Sequence, residues 1–311
     1  MGIDIPSLQL LACAKSIGVD FSDTLMVGRQ RMSAPTAVIA SILSAIVAPR
    51  EQIPAILEGQ PAEALFAFLG AEQVSSVDVS DWESATYIHD FNQPLPADLA
   101  NRFSMVLDGG TIEHVFNVPQ AFKNCMEMVR VGGHFIQVNA ANNYMGHGFW
   151  QFCPELIYRI FSPDNGFQIK AVLMHEPDKM LRHGASAGAW YKVEDPAAHH
   201  CRVELINHRP TYICTIAQRV EDKRIFERFP QQSDYVEAWA QAQNPAPQFR
   251  PASAIGQMVP LPVKKMVHWG RAALKELSRS FDRPYYRSYS RRFDAPYYHR
   301  ISDNDVVRGR I

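Results

Sequence analysis

The densest polar cluster in the chain is Asp108-Gly-Gly-Thr-Ile-Glu-His-Val-Phe-Asn117. Gly109 and Gly110 carry no Cβ and let a ligand approach the backbone closely. Glu113 and His114 supply adjacent titratable groups. A histidine near its reference pKa can take a proton from a hydroxyl or amine at neutral pH, worth about 10²–10⁴-fold when it is well placed. The competing reading is that His114 caps the next helix or makes a buried hydrogen bond. A second candidate base, His147, lies in Asn142-Asn-Tyr-Met-Gly-His-Gly-Phe149. There Asn142, Asn143 and Tyr144 would suit a hydrogen-bonding acceptor such as a sugar, with a plain surface loop as the alternative. Three further positions could hold a nucleotide-like ligand. Gly28, followed by Arg29 and Gln30, makes a turn after an apolar run. Asp78 could accept hydrogen bonds from ribose hydroxyls or serve as a turn residue, and Asp90 closes the next short run. His199, His200 and His208 stand near Cys201 but match no zinc spacing, so no metal site is expected. Cys153 has no partner that would make it a nucleophile.

These residues need elements to carry them. Pro6–Ile17 reads as a short amphipathic helix stopped by Gly18, and Asp23–Val27 as a buried strand running into Gly28. Pro35–Val47 and Pro61–Leu69 read as helices, the second capped by Gly70. Val74–Val79 and Ala85–His89 are strands, Phe103–Leu107 is a continuous apolar strand, Val118–Val129 a helix and His134–Val138 the next strand. Phe167–Met174 and Tyr212–Ala217 are late strands. Apolar strands with acidic or glycine-rich carboxyl ends signal an α/β, doubly wound, mostly parallel sheet. Ligands of such sheets sit outside the carboxyl ends of the strands. Gly28–Arg31, Asp78, Asp90, Asp108–Thr111 and Asn139–Asn143 all fall there.

The stretch Phe103–Asn117 together with Ala121–His134 resembles class I S-adenosylmethionine-dependent methyltransferases. In that superfamily a strand ends in an acid, an EH dipeptide opens a helix, and the helix closes in xxGG before the next strand. Glu113-His114 and Val131-Gly-Gly133 stand at those places. The resemblance covers Pro6–Val220 and implies a Rossmann-like fold with a terminal antiparallel pair. It implies S-adenosylmethionine as cofactor, with Gly28, Arg29, Gln30, Asp78, Asp90, Asp108, Gly109 and Gly110 around it. It further implies His114 or His147 as base, and Glu113, Asn142, Asn143 and Tyr144 toward a small-molecule or saccharide acceptor. Two departures stand out. The family's glycine run is reduced to Val27-Gly-Arg-Gln-Arg-Met32, whose Arg29 and Arg31 could pair with a carboxylate of the cofactor or with an anionic substrate. Six residues separate Asp78 from Ala85, too few for a helical crossover. A scaffold without cofactor, acting as a binding or assembly module, is the alternative. A nicotinamide enzyme is disfavoured by the absence of GxGxxG.

The chain has 311 residues, 47% hydrophobic and 20% charged, enough for a real core and against disorder. Five scattered cysteines without a CxxC read as reduced thiols. An acidic residue in a short N-terminus without basic residues, and no long apolar run, lead to the expectation of a cytoplasmic protein without a transmembrane segment. The net charge of −1 hides a polarity: Leu261–Ile311 carries twelve Lys/Arg against five Asp/Glu, and the preceding 260 residues carry 19 against 27. Three parts are therefore expected. They are an α/β domain over 1–220, a charged segment with a Pro/Ala/Gln-rich linker over 221–262, and a basic Tyr/Arg-rich extension over 263–311. The extension includes a basic helix over Val263–Ser280 and the repeat Phe281–Tyr286/Phe293–Tyr298. Docking on the acidic body or in a homo-oligomer is the favoured role for this extension, ahead of an anionic partner, with nucleic acid last.

Overall fold

A computed structural model of the chain describes residues 2–46, 56–181, 184–199, 202–243 and 297–311. The expected helix over Val263–Ser280, the linker after residue 243 and the first copy of the Pro-Tyr-Tyr repeat lie outside the described residues, as do His200 and Cys201.

In chain order the main elements are α1 (Ile5–Ser16), β1 (Asp23–Val27), α2 (Thr36–Leu43), α3 (Glu63–Phe68), β2 (Gln73–Asp78), β3 (Tyr87–Ile88) and β4 (Phe103–Asp108). There follow α4 (Val118–Met128), β5 (Val129–Asn142), α5 (Pro154–Ile160), β6 (Phe167–Pro177), β7 (Gly188–Val193), α6 (Pro196–His199), β8 (Thr211–Arg219), α7 (Ser233–Gln243), β9 (Tyr298–Ile301) and α8 (Asp303–Val307). Nine strands form one sheet in the order β9-β7-β6-β8-β5-β4-β1-β2-β3. From β3 to β5 neighbouring strands are parallel, and β8 then enters antiparallel between β5 and β6. The expected antiparallel pair is β6 and β8, but it is not terminal, since β7 and β9 extend the sheet beyond β6. The chain winds from β1 outward to β2 and β3, then returns to β4 on the other side. The crevice between the carboxyl ends of β1 and β4 is thus the switch point of a doubly wound, Rossmann-like α/β sheet, where such sheets bind ligands.

Strand alternation sends side chains to two cores. Met26, Met105, Leu107 and Ile136 pack on α1, α2 and α3, while Leu25, Val27, Val106 and Phe135 face α4 and α5. Between β2 and β3 residues 79–86 form no helix, as the short spacing predicts, and Ser76 and Thr86 exchange hydrogen bonds that pin the loop. Of the segment expected to be partly helical over Glu221–Tyr235, only its end lies in a helix, α7.

The structure departs from the expectation for α1, which is not amphipathic: every residue from Ile5 to Ala14 is buried. Helices apolar on all sides need cover on all sides, and the cover comes from the end of the chain. Residues 297–311, expected in the basic extension, supply β9 at the sheet edge and α8 against α1. Val306 and Val307 are buried there, the Ser16 hydroxyl donates to Val307 O at 2.8 Å, and the Gln9 amide donates to Asp303 at 3.0 Å. The Asp4 carboxylate accepts from the Ser7 amide at 3.1 Å and caps the start of α1. No described helix is long and apolar enough to cross a membrane.

Candidate functional site

The strand register fixes the first layer of the site. Val27, the last residue of β1, lies beside Val77 of β2 and beside Asp108 of β4, so Gly28, Asp78 and Asp108 meet at one sheet edge. Gly28 adopts a φ of +71°, and a Cβ there would stand 2.8 Å from Thr111 Oγ1. Only glycine fits both the left-handed backbone and the close approach. Gly109 is equally tight, since a Cβ would come within 3.0 Å of the Gln30 side-chain amide. Gln30 is buried and donates its NH₂ to Val27 O and Gly28 O at 3.2 and 3.1 Å, while its Oε1 has no hydrogen-bond partner among the described residues. Buried acceptors are rarely left unpaired without a reason.

The expected flanking groups are placed differently from one another. Asp78 is half-buried, and one of its oxygens accepts from the Val79 amide at 2.7 Å. Asp90 closes a turn on itself, accepting from the Asn92 backbone and side-chain amides at 2.9 and 2.8 Å. These bonds, the backbone one first, lower its pKa. Arg29 turns to Glu63 at 2.8 Å and to Glu83 O at 2.9 Å, and Arg31 to Gly59 O. The bare glycine turn therefore keeps its backbone, while its arginines brace α3 and neighbouring loops.

The second layer is a pair of buried carboxylates. Asp108 is fully buried and accepts from the Thr111 amide at 2.7 Å, the Ile112 amide at 3.3 Å and Asn139 Nδ2 at 2.6 Å. The same Asn139 amide donates to Glu113 Oε2 at 2.8 Å. Burial first, and the Glu113 carboxylate second, push Asp108 up to about 7. Asn139 falls inside the stretch expected to face ligand, but its role as the bridge was not legible. An asparagine in an apolar strand pattern gives no sign of which way it points.

Glu113 Oε1 is buried and has no hydrogen-bond partner among the described residues; 3.7 Å away stands His147 Nε2. The His114 and His147 rings lie 5.2 Å apart, and partial desolvation lowers the His114 pKa although its edge is exposed. The structure thus brings His114 and His147 together with Glu113, across 33 residues of sequence. Residues 144–150 pack directly on this corner. The Phe149 and Trp150 amides donate to Glu113 O at 2.9 and 3.2 Å, and a Cβ on Gly148 would lie 2.8 Å from that same oxygen. Tyr144 is buried and stacked on Tyr212. Asn142 and Asn143 donate to Asn207 Oδ1, both at 2.7 Å, and hold the 205–209 segment. Apart from His147, the large side chains that the loop shows to solvent are apolar: Met145, Phe149 and Trp150, joined by Phe116, whose ring meets Phe149 edge-on at 5.8 Å.

No family model and no curated protein matches the sequence. Among solved structures, the chain is similar to TehB from Haemophilus influenzae, at 14% identity over 68% of this chain and 61% of that one, with a TM-score of 0.35. It is also similar to a Thermotoga maritima protein described as a SAM-dependent methyltransferase, possible histamine N-methyltransferase. There the identity is 12% over 69% of this chain and 89% of that one, with a TM-score of 0.36. A third is a geranyl diphosphate methyltransferase in complex with SAM, at 10% identity over 70% and 85%, with a TM-score of 0.38. At such values these likenesses add nothing to the fold, which the strand order of this chain establishes by itself.

Proposed function

We propose that this chain catalyses S-adenosylmethionine-dependent methyl transfer to a small polar acceptor, with a saccharide hydroxyl as the acceptor the site suits best. The observation that carries the reading is the switch-point crevice. Gly28 and Gly109 flank the buried Gln30 side-chain amide, whose Oε1 has no partner among the described residues, with Asp78 on the adjoining strand. These residues fit the cofactor. Gln30 Oε1 would accept from the ammonium group, Asp78 would hold the ribose hydroxyls, and Asp108 would close the floor. When bound, the cofactor supplies an electrophilic methyl group, and the protein mainly aligns the acceptor with it, a contribution of about 7–11 kcal/mol.

The acceptor's hydroxyl lies at the mouth formed by residues 144–150. Glu113, His114 and His147 form its polar wall and receive the proton that a hydroxyl or ammonium acceptor must lose. Phe116, Phe149 and Trp150 exclude water beside that wall and present apolar surface to the non-polar face of a sugar. A reading as a binding module without cofactor is favoured by one observation, that Gln30 itself stands in the space the glycines leave.

Thermal unfolding of the full chain with S-adenosylhomocysteine separates the two. A rise in Tm that is lost in Asp78→Ala supports methyl transfer. A folded protein with no shift at millimolar ligand overturns it in favour of the module.

A further inference from the structure

The three side chains at the acceptor's corner also allow a second role, in place of that of a base. We propose that Glu113, His114 and His147 bind a divalent transition-metal ion of the zinc class, with an open position toward the loop 144–150.

The case begins with an unpartnered group. The Glu113 side chain is 1% exposed, its Oε2 is held by Asn139, and its Oε1 points at His147 without a hydrogen bond. At 3.7 Å the Oε1–Nε2 separation is too long for a hydrogen bond. It is what two ligands of one ion show, since bonds of about 2.0–2.1 Å at an open tetrahedral angle leave their ends roughly 3.3–3.7 Å apart. The candidate ligand atoms of all three residues lie within 4.8 Å of one another. One ion spans at most about 4.2 Å between ligand atoms, so His114, which is exposed, has about 1 Å to turn inward. A dication there would also sit favourably against the buried carboxylate.

The donor set chooses the ion. Two imidazoles and one carboxylate suit zinc, cobalt, nickel or ferrous iron, whereas magnesium and calcium favour all-oxygen sites. Three protein ligands leave a position for water or an acceptor oxygen, the pattern of catalytic rather than structural zinc. Asn139 acts behind the ligands by fixing the Glu113 carboxylate, as outer partners of metal ligands do. Sequence spacing could not show this site, because the third ligand comes from the loop after β5.

The inference deepens the reading of this corner as the acceptor's side of a methyltransferase, but its test needs no methyl transfer. Full-length protein, stripped of metal, is titrated with Co²⁺ and followed by visible absorption. The expected result is a saturating band at one equivalent, displaced by Zn²⁺. In His147→Ala the affinity falls by at least about tenfold, the scale on which even outer partners act. Glu113→Gln weakens it likewise, and circular dichroism checks that both variants are folded. His299→Ala, at the separate surface pair His299–Glu194, leaves the titration unchanged. No saturable band, or a band as strong in folded His147→Ala as in the parent, overturns the proposal, as does loss of the band in His299→Ala. Cobalt binding without a response to S-adenosylhomocysteine would leave this site standing and sink only the methyl-transfer reading.

Discussion

At the end of β4, Asp108, Asn139 and Glu113 are buried together, yet one carboxylate oxygen stays unpaired and faces His147, which is 30% exposed. In the antiparallel half, His175 of β6 is equally buried. Its ring lies 4.6 Å from that of Trp190, and neither of its nitrogens has a hydrogen-bond partner among the described residues. Trp190 in turn donates to Gln9 at 3.0 Å, and α8 seals the outer side of α1. The first cluster opens to solvent through a loop, and the second is closed under helices. Unpaired polar atoms beside a mouth indicate exchange with a ligand. Unpaired atoms in a sealed pocket are a cost that the surrounding packing carries. On the proposed reading, one half of the sheet does the binding and the other supplies the rigidity.

The largest test of that division is Trp190→Ala. Truncating a fully buried tryptophan should cost about 3–5 kcal/mol in denaturant unfolding, and a change below 1 kcal/mol would remove the antiparallel half as the stabilising one.

The pH dependence should split by cluster. Burial holds His175 down at about 3, against about 6.5 in an unfolded chain. The unfolded state therefore takes up the proton first, and stability falls as pH drops below about 6.5, by up to about 1.4 kcal/mol per unit. His175→Phe should flatten this acid limb. Asp108 runs the other way. Raised to about 7, it keeps its proton in the fold where the unfolded chain has lost it. Its contribution is full below about 4 and is lost as pH rises through 7. Asp108→Asn should remove that loss. Denaturant midpoints from pH 4.5 to 8 read both, and changes in slope of equal sign, each taken against the parent, would contradict the assignment.

Smaller effects follow at the seam between the halves and at the crevice. Gly309 has a φ of +68°, and a Cβ there would lie 2.5 Å from Ile17 Cγ2. Gly309→Ala should therefore cost about 1–2 kcal/mol by loosening α8 from α1, seen as a lower Tm. Gln30→Leu removes an acceptor worth about 1 kcal/mol and should weaken S-adenosylhomocysteine binding roughly fivefold by calorimetry. An unchanged affinity would show that Gln30 only fills space.

The binding half was the legible one. β1 and β4 are buried on both faces, so Asp23–Val27 and Phe103–Leu107 read as continuous apolar runs with polar ends, and Asp108, Glu113 and His114 stood out at once. The antiparallel half was harder. Gly188–Val193 is a strand held by pairing on both sides and not by its own pattern. α1 looks amphipathic only until α8 covers it from nearly 300 residues away. The Asn139 bridge and the approach of His147 to Glu113 also depend on where chain ends meet, which local periodicity does not encode.

Hydrogen exchange of the full chain with and without S-adenosylhomocysteine tests the central claim most directly. Slowed exchange confined to residues 27–30, 78–80 and 108–114, with residues 172–176 and 188–193 unchanged, is the predicted result. No protection at saturating ligand, or protection centred on the antiparallel half, would contradict it.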